Sequence, residues 1–134
     1  YLLNQLKGAE IPIKLCLDPD HGDLSSEKKD DYEPYGLIKK YIAYANQIHL
    51  KQTSMDKRKN GPFIQSFNEN GLIKAELVLD YIDKFNSLEN HNLELILEIN
   101  AREREPDDSQ IIENVNESIE YWKKALASRN LKYD

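Results

Sequence analysis

Residues Leu93 to Asn100 read Leu-Glu-Leu-Ile-Leu-Glu-Ile-Asn (LELILEIN), without a glycine or proline. Leu93, Leu95, Leu97 and Ile99 share one parity, and Glu94, Ile96, Glu98 and Asn100 the other, which is the period of a strand. A carboxylate at Glu98, among apolar neighbours, needs a partner or a cation to be tolerated. Two earlier segments have the same character. Ile13 to Leu17 (IKLCL) follows Pro12 and runs into Asp18-Pro19-Asp20. Pro12 stands where a missing N–H is tolerated. Gln47 to Thr53 (QIHLKQT) alternates, with Ile48, Leu50 and Gln52 on one face and Gln47, His49, Lys51 and Thr53 on the other.

Between these strands the period changes. Pro34 to Asn46 carries Leu37, Ile38, Tyr41, Ile42 and Ala45 at helical spacing. A second helix follows Asn70-Gly71, with the stripe Leu77, Val78, Tyr81, Ile82 and Phe85. A third carries Ile111, Ile112, Val115, Ile119, Trp122 and Leu126, with Asp108 or Ser109 as its expected cap. His21 to Glu33, Ser54 to Glu69 (with the turn signal Gly61-Pro62) and Ala101 to Asp108 read as loops. The order strand–loop–helix, three times over, predicts right-handed βαβ units and a parallel α/β sheet, in a barrel or an open layer. Tyr1 to Glu10 reads as the tail of an earlier helix.

Composition agrees with a soluble globular unit. The chain has 134 residues, 40% hydrophobic and 31% charged, which allows one domain over 1–134. No apolar run nears the ~20 residues of a membrane span, and no leader pattern opens the sequence. The one cysteine, Cys16, excludes an internal disulfide framework and fits a reducing, cytoplasmic compartment. Eighteen basic against 24 acidic side chains, a net charge of −6, argue against a nucleic-acid partner.

Each predicted strand ends in a residue of metal-ligand type: Asp18, His49 and Glu98. In α/β folds, sites are built at that end from several strands. One Asp, one neutral His and one Glu suit a divalent ion such as Mn, Mg, Co or Zn. Taken singly, Asp18 also fits a solvated turn and His49 a hydrogen-bonded core histidine. Three successive strand ends give the set its weight.

With LCLDPDHGD (Leu15 to Asp23), IHLKQT (Ile48 to Thr53), LILEI (Leu95 to Ile99) and SIEYW (Ser118 to Trp122), the chain resembles the xylose isomerase-like TIM barrel family of sugar and sugar-phosphate isomerases and epimerases. There one strand ends in D-x-x-H, the next carries a His and the following one a Glu. The resemblance implies the C-terminal half of a (β/α)8 barrel. It implies Asp18, His49 and Glu98 as metal ligands, His21 against substrate hydroxyls, and Glu98 as one of two acid/base carboxylates. The second glutamate lies on an earlier strand of the family, and nothing before Asp18 matches it. A closed barrel takes at least ~200 residues, so the expectation is a half-barrel whose upstream half is absent from this sequence, or two copies paired edge to edge. Arg58, with Lys51 and Lys57 as alternatives, stands for an arginine that family members carry after the metal histidine. Arg102 and Arg104, after the Glu98 strand, suit a phosphate.

The implied reaction is epimerisation or isomerisation of a ketose or short ketose phosphate through an enediolate: one carboxylate removes the α proton and a second returns one on the other face. Two other readings stay open: a metal phosphodiesterase of the apurinic endonuclease type on the same fold, and a non-catalytic half-barrel. His91 is expected to be an exposed loop residue, Cys16 a small core residue and Trp122 a core anchor.

Overall fold

The structure, a computed structural model, describes residues 14–22, 25–54, 60–85, 93–99 and 109–131. In chain order its elements are β1 (Leu15–Leu17), α1 (Lys29–Tyr32), α2 (Pro34–Tyr41), a 3-10 turn (Ile42–Tyr44), β2 (Ala45–Leu50), β3 (Gln52–Thr53), β4 (Asn60–Gly61), α3 (Gln65–Asn68), α4 (Ala75–Phe85), β5 (Glu94–Leu97) and α5 (Ile111–Ala127). Strands β1, β2 and β5 form one parallel sheet in that spatial order. Each strand lies beside its successor in the alternating β/α order, with no reversal.

Register sorts the side chains by parity. Leu17 is level with Ile48, which is level with Leu95, and Leu50 is level with Leu97. This face turns to the helices: Leu17, Ile48 and Leu50 are buried with Ile38 and Ile42 behind α2, and with Val78, Leu79 and Ile82 of α4. Burying a side chain such as Ile48 or Leu50 contributes roughly 1.5–3 kcal/mol. The other parity carries Cys16, Gln47, His49, Glu94, Ile96 and Glu98, and Cys16 and Glu94 are exposed. Cys16, expected in the core, therefore faces away from the helices, because it shares parity with Asp18 rather than with Leu17.

The expected strand Gln47–Thr53 is two strands. Glu98 N–H donates to the Leu50 carbonyl (2.9 Å), which closes the ladder with β5. Beyond that point the chain needs other partners. Gln52 and Thr53 find them antiparallel, in Gly61 and Asn60, and Ser54 bridges to Gly71. The expected helix to Asn46 stops at Tyr41, because Ala45 is already paired with Leu15. A short helix, α1, stands in the expected loop before Glu33. The last helix has Gln110 at its N-cap with no side-chain cap; Ser109 precedes it and Asp108 lies outside the described residues. Its buried face is Ser118, Trp122 and Ala125, whereas Ile112 is 67% exposed. Ser118 holds a core position because its hydroxyl accepts from Phe63 N–H (2.9 Å) and donates to the Asn114 carbonyl (2.7 Å).

Long side chains hold the segment between β2 and α4. Gln52, fully buried, accepts from Ile73 N–H (2.9 Å) and Thr53 N–H (3.2 Å) and donates to the Ile73 carbonyl (2.9 Å) and Asn68 Oδ1 (2.8 Å). Its amide passes so close to Gly71 that a Cβ there would sit 2.1 Å from Gln52 Cδ. Phe63, buried in what reads as loop, stacks on Tyr121 (5.5 Å between centroids, 8°) and meets Trp122 edge-on (5.3 Å, 88°). The C-terminal end of α5 closes with Asn130 at φ 56°. Leu131 N–H donates to Leu126 and Asn130 N–H to Ala127, a Schellman closure. Arg129 pins this end to Glu76, Asp80 and Asp83 of α4. Among the described residues no helix is long and apolar enough to cross a membrane.

Tyr35 donates to the Leu72 carbonyl (2.8 Å) and accepts from Lys74 N–H (3.1 Å). Burial pushes its phenol pKa up. The raised value means that the folded state holds this proton more tightly than the unfolded chain. The stabilising contribution is full below the ordinary phenol value of about 10 and is lost as pH rises through the folded value. Alkaline titration of thermal stability is expected to show a falling limb that Tyr35→Phe shortens. An unchanged limb would place its origin elsewhere.

Candidate functional site

The strand ends bring the predicted ligands together. Asp18 follows β1 and, by register, falls beside His49 of β2. Lys51 follows β2 and falls beside Glu98, which follows β5. All four sit on the parity that faces away from the helices. The turn after β1 is built by Asp18-Pro19-Asp20-His21, with His21 N–H donating to the Asp18 carbonyl (3.0 Å). Proline at the second position presets the backbone for it. Gly22 lets this turn pack against α1: a Cβ there would lie 2.6 Å from Tyr32 Cα.

His49 Nδ1 lies 3.5 Å from Glu98 Oε2 and 3.9 Å from Asp18 Oδ1. Donors sharing one ion at bonds of about 2.0–2.2 Å stand roughly 3–4 Å apart, so these two spacings fit a cation. Cys16 Sγ, an Asp18 oxygen and a His49 nitrogen also lie within 4.8 Å of one another. Glu98 is not part of that trio. The Lys51 ammonium donates to Glu98 Oε2 (2.7 Å) and Asp18 Oδ1 (3.3 Å) and stands 3.8 Å from Asp20 Oδ1. Lys51 is 4% exposed. Asp18 and His49 are about a third exposed and Glu98 nearly two-fifths, so a small molecule can reach them.

The charges follow from these contacts. Burial pushes the Lys51 ammonium pKa down, but the Glu98 hydrogen bond and the charges of Asp20 and Asp18 outweigh it and leave the pKa raised. The same hydrogen bond holds the Glu98 carboxyl below its ordinary value, so Glu98 is ionised at neutral pH. Burial raises the Asp20 carboxyl against the pull of Lys51 and His21. Burial first, then the Asp18 charge, raises the Cys16 thiol. An ionised carboxylate, a neighbouring imidazole and a second carboxylate can bind a divalent ion or move a proton.

Among the other expected site residues, His21 is exposed beside Asp20 (Nε2 to Oδ2, 3.5 Å). Lys51 is brought to the carboxylates. Arg58, Arg102 and Arg104, like Lys57 and His91, lie outside the described residues. Sequence reading passed over Asp20, whose side chain is 2% exposed. Its only signal was Pro19, which turns the chain back beneath the strand end.

The chain is similar to the D-erythrulose 1-phosphate 3-epimerase of Brucella abortus (strain 2308), at 37% identity over 112 residues. The match covers 84% of this chain and 35% of that protein, so the chain spans about a third of the length of this curated relative. No family model matches it.

Proposed function

We propose that this chain contributes the active centre of a divalent-metal-dependent epimerase or isomerase of a ketose or short ketose phosphate, as part of a (β/α)8 barrel of the xylose isomerase-like kind. One observation carries this reading: three adjacent parallel strands end in Asp18, His49 and Glu98 on a shared face, where sites of α/β proteins are built. The similarity to a sugar-phosphate epimerase supports it, as does the unreversed strand order, which a barrel requires.

Asp18, His49 and Glu98 would hold the ion. Bound there, a divalent cation supplies Lewis acidity toward the ketose carbonyl and the neighbouring hydroxyl. Glu98, ionised and partly open to solvent, takes the proton from the carbon beside the carbonyl, and the substrate becomes an enediolate. His21, exposed at the rim, is placed to bond a substrate hydroxyl. Epimerisation needs a second acid/base group on the opposite face of the substrate. Arg102 and Arg104 are the cations assigned to a phosphate, and Arg58 is the substrate-side arginine expected after the metal histidine.

The test is the metal content of the natural-length protein purified without chelator, beside His49→Ala. Near-stoichiometric Mn, Co, Mg or Zn is expected, and its loss in the variant. Deuterium uptake into D-erythrulose 1-phosphate in heavy water is the first activity to assay. Neither metal nor exchange in the natural protein would sink the proposal.

A further inference from the structure

The Lys51 ammonium stands against the two carboxylates assigned to the cation, at 2.7 Å from Glu98 Oε2 and 3.3 Å from Asp18 Oδ1. It is the positive charge that lets these acids converge on the open face. Behind it is an acceptor with no bond. Asp20 Oδ1 is buried and accepts no hydrogen bond among the described residues, and it lies 3.8 Å from Lys51 Nζ. A shift of about 1 Å would bring the pair to the length of a charge-assisted hydrogen bond. A buried carboxylate oxygen left without a donor is costly, so the cradle at Asp20 is unfinished in this arrangement.

We propose that Lys51 is a tethered counter-ion that a divalent cation displaces: it holds Glu98 and Asp18 when the cation is away, and moves onto Asp20 Oδ1 when the cation takes those oxygens. The proposal rests on the metal reading above and adds how the site is held ready. Lys51 and Asp20 are positioning residues in it. Cation uptake exchanges one positive charge for another at Glu98, and the ammonium keeps a carboxylate partner throughout. Without Asp20 the ammonium would be left buried beside a bound dication, a repulsion that weighs against uptake. The site then discriminates against weakly held monovalent ions, which do not repay the loss of the Lys51–Glu98 bond.

The test is a double-mutant cycle on the affinity of the natural-length protein for Mn2+ and Zn2+, measured by calorimetry after chelator treatment. Lys51→Met, with Lys51→Gln as the more polar alternative should the first not fold, is expected to tighten binding by at least about tenfold, since no ammonium competes. Asp20→Asn is expected to weaken it by about tenfold or more when Lys51 is present. It is expected to change little in the Lys51 variant. Equal weakening by Asp20→Asn in both backgrounds would make Asp20 a direct partner of the cation and overturn the exchange. Weaker binding in the Lys51 variants would make the lysine a simple support and also overturn it, while leaving the metal reading intact. No binding by any form would overturn both.

Discussion

Glu98→Gln is expected to leave the fold in place and lower proton exchange into the ketose phosphate by at least about 10²- to 10⁴-fold, the usual contribution of one general base. The amide is nearly isosteric, and its oxygen can still accept from Lys51, so the contact at 2.7 Å has a successor. Glu98 is about two-fifths exposed, so the change creates no cavity. The amide cannot take up a proton at neutral pH. Because Glu98 is also assigned to the cation, metal content is measured on the same sample: loss of exchange with metal retained assigns proton transfer to Glu98, and loss of both assigns it to the ion as well. Exchange at the wild-type rate would remove Glu98 from the mechanism.

The largest effect on stability is expected at Gln52. Gln52→Leu keeps most of the volume and raises the hydrophobicity, which by area alone should stabilise. It removes, however, an amide that satisfies Ile73 N–H, Ile73 C=O and Thr53 N–H within a buried corner. Each group left unpaired there costs about 1–3 kcal/mol. Three such groups outweigh the extra apolar area, and the expected loss is about 3 kcal/mol or more, read from the urea midpoint of the natural-length protein. The branched leucine is also placed against Gly71, which lies close to the Gln52 amide. A midpoint equal to that of the wild type would mean that water or a backbone shift satisfies those groups. The two variants separate neighbouring positions on different segments of the chain: Glu98 lies across from Lys51, Gln52 follows Lys51 directly in the chain, and only the first is expected to touch chemistry.

Sequence alone was informative wherever a strong period met a buried face. Parity put Ile48, Leu50 and Gln52 on one side and His49 and Lys51 on the other, and the sheet keeps that division through Leu50. The meeting of Asp18, His49 and Glu98 was legible for the same reason: strands in βαβ order run parallel, so their C-terminal ends meet. Cys16 was misplaced because an apolar residue in an apolar run was read as core, although parity put it on the face of Asp18. Where periods were short, boundaries failed. Nothing local marks the end of β2 at Leu50; the ladder ends because β5 ends beside it. Nor does anything local mark Phe63 as core, since it is anchored by Tyr121, Trp122 and Ser118 from a helix more than fifty residues away.

What the sequence determined by itself is therefore the class of layer and the kinds of donors at its edge, because alternation and element order are local properties. Tertiary structure decided the charges. That Lys51 would be buried among Asp18, Asp20 and Glu98, that Asp20 would have an oxygen with no donor among the described residues, and that a lysine would hold the Glu98 carboxyl below its ordinary value all depend on register between strands far apart in the chain. Coulomb and hydrogen-bond energies change over one or two ångströms, and no spacing along a sequence fixes distances of that size across a sheet.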